Sequence, residues 1–266
     1  MGSAISPSCD NLLYGKGRVY VDVLTSAEVR TGEIDLGQCD TFQVEWEQEI
    51  DEVPDMRTDD TEIFCTVDMG SKGSLTITGI EFSDQHIRLL NLGTAGTHTQ
   101  SAGSIGSSET ITIYHNKWME TDYENITSGT LTLKDSTEAV TYTETTDYVV
   151  DYKVGRIKGV STGSISDGES CHITAYSYGS VSVAQVELNT DTKFDCFVRY
   201  VGDSRHGENH HVVLYKVTLR PDGGYNYLTN KERATWTLSG TVYKDTTNSK
   251  YGYDFNYEDT TIAVGT

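Results

Sequence analysis

The densest group of side chains with metal-binding chemistry lies between residues 202 and 211. His206, His210 and His211 occur there with Asp203 and Glu208, and imidazole and carboxylate groups are both zinc ligands. The segment contains neither an HExxH motif nor a two-histidine, one-carboxylate spacing on a defined scaffold. Because its composition is that of a turn, we expect a solvated loop here and keep a metal site as the less favoured alternative.

Carboxylates are numerous enough to supply an acid–base pair, with 40 Asp and Glu in the chain. Glycoside hydrolysis needs two of them about 5–10 Å apart in a sugar-binding cleft, and no local pattern singles out such a pair. The acidic segment 51–60 lacks the alternating aspartate rhythm of a calcium loop. The nucleophile-elbow, phosphate-loop and dinucleotide-binding glycine patterns are missing from the sequence as well. We therefore expect no enzymatic activity, no metal and no cofactor.

Cysteines and tryptophans are better explained by packing than by chemistry. The five cysteines are widely spaced and form no CxxC pair, which favours a reducing compartment over a disulfide framework. Cys171 alternates with Ile173 in a strand pattern and is expected to be a buried thiol. Trp46 and Trp236 lie in apolar stripes and are expected in the core. Trp118 is the tryptophan expected to be exposed, and so the one to test for stacking on sugars.

Composition excludes several classes of protein. The net charge is −20 with a pI near 4.6, which disfavours tight nucleic-acid binding because that relies on Lys and Arg displacing counterions. No stretch approaches the roughly 18–20 consecutive apolar residues of a membrane span. The first eleven residues lack the basic region and apolar run of a secretory signal. With 36% hydrophobic residues over 266 positions, the chain can bury a sizeable core.

The elements that would position these side chains are mainly strands. Alternation of apolar and polar residues with a period of two marks half-buried strands, as in segment 41–50, where Phe42, Val44 and Trp46 alternate with Gln43, Glu45, Glu47 and Glu49. Segments 74–80 and 234–241 show the same pattern. Further strands are expected at 18–24, 62–69, 109–114, 129–133, 148–153, 170–178, 193–201 and 212–219.

One segment has a helical pattern. Ser83 is placed as an N-cap and Gly93 as a C-terminal stop, and Ile87, Leu90 and Leu92 form an apolar stripe between them. The spacing predicts a short amphipathic helix over 83–92, packed on a sheet.

Three segments have loop composition. They are a charged loop at 51–60, a Gly/Ser/Thr-rich and mobile connection at 93–108, and a turn region at 159–168. We predict an all-β fold, a β-sandwich or half-barrel with one flanking helix. The domain organisation expected from this pattern is a flexible arm at 1–15, one β domain at 16–245 with an inserted or extended hairpin region at 93–146, and a C-terminal extension at 246–266.

The order of the segments resembles the major tail tube proteins of long-tailed bacteriophages over residues 14–245. The resemblance rests on soft patterns: TGEIDLGQC at 31–39, the strand, charged loop, strand and helix that follow it, TTDYVVDYKVGRI at 145–157, SISDG at 164–168, VLYKVTLRPDG at 213–223 and ATWTLSGTV at 234–242. In that family, two-sheet subunits with a flanking helix form rings, usually hexameric, that stack into a hollow tube.

The resemblance implies a structural virion protein, assembled in the bacterial cytoplasm, whose main partner is itself. Tape measure, tail terminator and distal tail proteins are the other implied partners, double-stranded DNA passes through without adhering, and no membrane is involved. The helix, with Ser83, Ile87 and Leu90, would brace the outside of the sandwich. The charged loop would contact neighbouring subunits or rings, through Asp51, Glu52, Asp55, Arg57, Asp59 and Asp60.

An acidic stripe would repel phosphate within roughly the 10 Å Debye length. We therefore expect Gln43, Glu45, Glu47 and Glu49 to face the lumen, with an acidic outer surface that only confers solubility as an equal alternative. Two other functions remain open at this point. One is a different tail ring component, such as a terminator or distal tail protein, and the other is a carbohydrate-binding or carbohydrate-cleaving β-sandwich.

Overall fold

The computed structural model describes residues 15–54, 56–57, 63–203, 209–224 and 226–256. The chain divides into two compact units. The first unit joins Met1–Ala95 to Val186–Thr266, and the second unit is the segment between them, Gly96–Gln185. Both units consist mainly of antiparallel strands, which confirms the prediction of a mainly β protein.

The elements follow one another along the chain as strands with a single helix, α1 (Asp84–Leu90), among the described residues. The strands are β1 (Gly17–Val23), β2 (Ile34–Asp35), β3 (Cys39–Pro54), β4 (Ile63–Gly79), β5 (Thr94–Gln100), β6 (Gly103–Ser104), β7 (Glu109–Ile113), β8 (Met119–Glu120), β9 (Thr132–Asp135), β10 (Tyr148–Asp151), β11 (Arg156–Gly159), β12 (Glu169–Ala175), β13 (Ser177–Tyr178), β14 (Val181–Glu187), β15 (Phe194–Gly202), β16 (His210–Pro221), β17 (Trp236–Tyr243) and β18 (Gly252–Asn256).

The first unit is organised around one antiparallel sheet with the strand order β2-β1-β15-β16-β17-β4-β3. β18 also pairs with β16, along residues 210–214, whereas β17 pairs with β16 along residues 216–221. The short strand β18 lies within the predicted C-terminal extension, and it completes the pairing of β16.

The core of the first unit follows the period-two alternation of its strands. Val19 and Val21 from β1, and Leu75 and Ile77 from β4, are buried on the same side as Leu238 from β17. Trp236 is only 2% exposed, as its stripe predicted. Its indole Nε1–H donates to the carbonyl oxygen of Glu81 at 2.6 Å, so the one polar atom of this large side chain is satisfied inside the core.

The predicted helix is present but shorter than 83–92. Ser83 is the N-cap, as expected, and the amide of Gly93 donates to the carbonyl of Arg88 at 2.9 Å where the chain leaves the helix. The predicted apolar stripe is partly wrong, because Ile87 is only half-buried. The buried residues of α1 are His86, Leu89 and Leu90. The predicted stripe contained only apolar residues, so it left out His86 and described a different face of the helix.

His86 joins the N-cap of the helix to the segment after β2 through its two ring nitrogens. Its Nδ1 accepts from the backbone amide of Ser83 at 3.0 Å, and its Nε2 lies 3.0 Å from the carbonyl oxygen of Leu36. The ring also packs against Trp236, with centroids 5.2 Å apart. Because Nδ1 accepts a hydrogen bond from Ser83, it carries no proton. The proton is therefore on Nε2, which donates to Leu36, and the buried imidazole is neutral in this arrangement.

The second unit has its own sheets and its own core. Three-stranded sheets run in the orders β7-β12-β9 and β10-β11-β8, and β6 pairs with β13. Cys171 and Ile173 are both fully buried in this core, as predicted, and burial raises the pKa of the Cys171 thiol to about 12. Segment 93–108, predicted as a connection without secondary structure, contains strands β5 and β6, and β5 pairs with β14. Its Thr and Gly residues suit a two-stranded ribbon that has no buried face to create an alternating pattern.

Candidate functional site

The β3–β4 hairpin extends beyond the sheet of the first unit. β4 pairs with β17 only between Gly73 and Gly79, whereas its pairing with β3 continues outward to Ile63. We call residues 47–54 and 63–72 the arm. Eight residues at about 3.3 Å each give it a reach of about 26 Å. Within the described part of the chain, the two strands of the arm pair only with each other.

The arm corrects the prediction of a charged loop at 51–60. Asp51 and Glu52 lie within strand β3, and Arg57 lies in the turn after it. Asp55, Asp59 and Asp60 lie outside the described residues. The strands expected at 62–69 and 74–80 are one continuous strand, β4. Its ladder with β3 continues across a register shift near Gly70. The charges were interpreted as a sign of a loop. A two-stranded arm buries neither of its faces, so it can carry charged side chains along its whole length.

Apolar side chains are exposed on both faces of the arm. Ile50 opposes Asp68 in the ladder and Asp51 opposes Val67. Since opposed residues share a face and neighbours alternate, Ile50 and Val67 lie on opposite faces. Their exposed fractions are 54% and 44%, and Phe64 is 61% exposed. Both faces of the arm therefore expose apolar side chains to water.

β3 also provides a long free edge. It is the last strand in the sheet order, so among the described residues its sixteen residues have strand partners on one side at most. Unpaired backbone N–H and C=O groups along such an edge are a template for another strand. At the other end of the sheet, β2 pairs with β1 at Tyr20 and Val21, and Leu36 N–H and the Thr31 hydroxyl donate to the carbonyl oxygens of Val19 and Val23.

The four residues predicted to face a lumen do share one face. Gln43, Glu45, Glu47 and Glu49 oppose Thr76, Ser74, Lys72 and Gly70, respectively. This face continues across the sheet as hydroxyl groups, because Thr76 opposes Ser239 and Ser74 opposes Thr241. The surface is polar. Acidic side chains lie along its edge strand, small hydroxyls lie behind them, and Lys72 and Arg220 belong to the same face. The structure groups these residues, and their position in an assembly stays a prediction.

A groove of about 660 Å³ lies at the base of the arm. Apolar side chains from three segments line it, and Lys244 and Lys250 also contribute to the lining. The apolar lining residues are Val44, Trp46, Val212, Leu214, Tyr251 and Tyr253. Sequence reasoning missed this groove, because its lining from 244–254 lies in a segment whose pattern gave no sign of packing against β3.

Trp46 corrects one prediction of a core residue. Its side chain is 49% exposed, and its ring meets that of Tyr251 edge-on, with centroids 5.0 Å apart. Trp46 continues the apolar stripe of Phe42 and Val44, but it opposes Gly73, the last β4 residue that pairs with β17. The alternation is correct, and it does not reveal where the packed part of the sheet ends.

The histidine cluster does not form the predicted solvated loop as a whole. His210 and His211 are the first two residues of β16, and Nδ1 of His210 lies 3.1 Å from a carboxylate oxygen of Asp254 in β18. Burial and the nearby Arg199 lower the pKa of His211. His206 and Glu208 lie outside the described residues. The residues that are described include no group of three His, Cys, Asp or Glu side chains able to hold a metal ion.

A buried carboxylate organises the segment after β1, and no sequence signal pointed to it. Asp22 is fully buried and accepts from Nε of Arg30 and from the amides of Thr31 and Gly32, all at 2.9 Å. Burial alone would raise the pKa of Asp22, but these hydrogen bonds outweigh it and lower the pKa. Arg30 also lies over the ring of Phe197, 3.9 Å from its centroid. The arrangement is a structural anchor.

Trp118 in the second unit is 38% exposed, as expected for the tryptophan outside the core. The guanidinium of Arg156 and the ammonium of Lys158 lie over its ring, 5.3 and 4.8 Å from the centroid. An exposed indole with two neighbouring cations can stack on a ligand or simply hold its cations in place.

The fold and these surfaces define a mainly β protein that has an inserted second unit and that projects a hairpin arm beside an apolar groove. The chain belongs to the family described as "Protein of unknown function UCP028589", whose model matches residues 12–253. No curated protein matches it with significance. Within the described ranges, no helix is long and apolar enough to cross a membrane.

Proposed function

We propose that this protein is a structural subunit that assembles with copies of itself into stacked rings, forming the hollow tail tube of a long-tailed bacteriophage. The observation that carries the proposal is the β3–β4 hairpin, which combines a sixteen-residue free edge with an arm that exposes apolar side chains on both faces. A protein that acted as a monomer would expose both features to water without benefit.

The two ends of the sheet support ring formation. β3 is free along one end, and β1 at the other end is covered by a strand of only two residues. If the β3 edge of one copy pairs with the β1 end of the next, the contact is heterologous, and such contacts close into rings when the rotation allows it. In this assembly the sheet of the first unit is the tube wall, of the sandwich or half-barrel type, and α1 with Ser83, Ile87 and Leu90 braces it.

The polar sheet face suits the inside of a tube. Gln43, Glu45, Glu47 and Glu49 would line the lumen in front of the hydroxyl groups of β4 and β17. Basic side chains that neutralised phosphates would make every ring a DNA-binding site through counterion release, whereas carboxylates and hydroxyls let DNA pass. The arm, with Asp51, Glu52 and Arg57, would contact a neighbouring subunit or ring.

The proposal places the protein in the virion, after assembly in the bacterial cytoplasm. Tape measure, terminator and distal tail proteins are the partners that it implies. Negative-stain electron microscopy over a concentration series tests it. Hollow tubes of uniform diameter are the expected result, single closed rings would favour a terminator or distal tail protein, and monomers throughout would contradict the proposal.

Carbohydrate binding by the second unit is the second candidate, and the exposure of Trp118 favours it. A glycan array with the wild-type protein and a Trp118→Ala variant separates the two functions. Binding that is lost in the variant would support this candidate.

A further inference from the structure

We infer that the groove at the base of the arm is the docking site for the arm of a second copy of the chain. The inference rests on the proposed function, because it names the two surfaces through which assembling subunits meet. The part of the second copy that occupies the groove is the outer part of its β3–β4 hairpin.

The arm of the same copy cannot fill the groove. Val44 and Trp46 from β3 and Ser71 from β4 form one wall of the groove, and these residues are at the base of the arm. The β3–β4 ladder then continues outward as far as Pro54 and Ile63. A continuous two-stranded ladder cannot fold back onto its own base, so an arm that enters the groove must come from another copy.

The two surfaces match in apolar character. Ile50 and Phe64 of the arm are more than half exposed, and Val67 is nearly so. The groove presents Val212 and Leu214 at its base and the half-exposed ring of Trp46 at its side. Burying these side chains against each other removes apolar surface from water, which favours association.

The charges of the two surfaces are complementary. Within the described arm, Lys72 is the one basic residue of the ladder, against five acidic residues: Glu47, Glu49, Asp51, Glu52 and Asp68. The groove has two lysines, Lys244 and Lys250, and one carboxylate, Asp254, which already lies against His210. Lysines at the groove therefore face an acidic arm, which steers association and disfavours groove-to-groove contact.

Arm-into-groove docking has a geometric consequence. Every copy carries both the donor and the acceptor surface. A reciprocal exchange of arms would close at a two-fold dimer, whereas docking in one direction, as a ring requires, is heterologous and propagates as a ring or a filament.

Site-directed cross-linking of the assembled full-length protein tests the inference. Cys65 is an exposed native thiol on the arm, and Ser249→Cys places a second thiol in the groove lining. Cys9→Ser and Cys39→Ser remove two further thiols, and the buried Cys171 and Cys196 are kept. A short bis-maleimide should then give a ladder of covalent dimers, trimers and higher species. The ladder should disappear when Cys65→Ser is added, and when Ser26→Cys, an exposed position away from the groove, replaces Ser249→Cys.

The outcomes separate the inference from the proposed function. Tubes or rings that form without any cross-link between positions 65 and 249 would overturn arm-into-groove docking and leave the tube proposal standing. Failure to assemble at any concentration would overturn both. Flotation of the wild-type protein with phosphatidylglycerol vesicles, lost in Ile50→Asn, would assign the arm to a lipid surface and overturn the inference.

Discussion

The ring of Trp46 meets the ring of Tyr251 edge-on, with centroids 5.0 Å apart. The contact joins strand β3 to the segment before β18, which are more than 200 positions apart in the sequence. The two rings form an aromatic wall of the groove at the base of the arm, where Trp46 is 49% exposed. The groove wall therefore presents an aromatic ring that is still half in water.

Trp46 and Trp236 form a matched pair for separating assembly from stability. Trp236→Ala should lower the free energy of unfolding by about 3–5 kcal/mol, the usual cost of removing a buried aromatic side chain. Trp46→Ala should cost about 1 kcal/mol, because half of the side chain is already in water, yet it should weaken self-association strongly. Urea denaturation and sedimentation velocity measure the two effects. Equal losses of stability in the two variants would show that Trp46 is a core residue.

The two apolar faces of the arm can be tested one at a time. Ile50→Asn and Val67→Asn change opposite faces, and each should alter the free energy of unfolding by no more than about 0.5 kcal/mol because the side chains are exposed. Both variants should reduce assembly if both faces are covered. Asp40→Asn, an exposed position on the same strand but outside the arm, is the control and should assemble normally. If only one of the two variants is impaired, the arm is covered on one face.

Charge reversal on the polar sheet face tests the lumen prediction. Glu45 and Glu49 oppose Ser74 and Gly70, whereas Glu47 opposes Lys72, so Glu47→Lys would create a like-charge pair that costs about 0.2–1 kcal/mol. The double variant Glu45→Lys, Glu49→Lys avoids this cost. It should form normal tubes that retain DNA in a salt-dependent way and reduce infectivity. Glu45→Gln with Glu49→Gln controls for loss of charge, and normal infectivity of the reversed variant would exclude the lumen assignment.

His86 should make the protein less stable in mild acid. Burial lowers the pKa of His86, against smaller opposing effects of its hydrogen bond to Leu36 and of the nearby Glu81 and Asp35. Between this lowered pKa and about 6.5, the value of an unfolded histidine, the unfolded chain binds more protons than the folded one. The free energy of unfolding therefore falls as the pH falls through that window.

The measurement is urea denaturation of wild type and His86→Gln at several pH values between 7.5 and 5. The difference in unfolding free energy between the two proteins should shrink as the pH falls, because the variant cannot titrate at this position. A difference that stays constant with pH would show that His86 keeps its ordinary pKa in the folded chain.

Asp22 should be essential for the conformation of the segment that follows β1. Asp22→Ala leaves the amides of Thr31 and Gly32 without their acceptor and Arg30 without its carboxylate, at a cost of about 2–4 kcal/mol. Asp22→Asn keeps one acceptor oxygen and should cost less. Chemical denaturation orders the three proteins, and hydrogen exchange at the Thr31 and Gly32 amides should rise in Asp22→Ala. Unchanged exchange would contradict the anchoring role.

How much of this structure the sequence predicted depends on whether an element had one buried face. β1, β15, β16 and β17 alternate because one side of each packs into the core, and their predicted bounds are close to the observed ones. Ser83 was identified as the N-cap because its position before an apolar run is a local signal. Strands with no strongly buried face, such as β5 and β14, produced no alternation and were missed.

The candidate site was only partly predictable for the same reason. The alternation of Gln43, Glu45, Glu47 and Glu49 predicted their shared face correctly. Residues 51–54 of the arm were predicted as part of a charged loop because their charges resemble those of solvated turns. The groove depends on Tyr251 lying beside Trp46, and a contact over such a sequence separation leaves no local pattern.

The pairing of β5 with β14 has a consequence for how this protein can be altered. The chain leaves the first unit through one strand of this ribbon and returns through the other, and none of the strands described in the sheet of the first unit comes from the second unit. The ribbon is therefore the place at which the inserted segment can be exchanged for another. A different domain whose termini lie close together can be grafted between Gln100 and Val181 without removing a hydrogen bond from that sheet, since loop-closure entropy rises only slowly with insert length. Each copy of the chain would then carry one grafted domain.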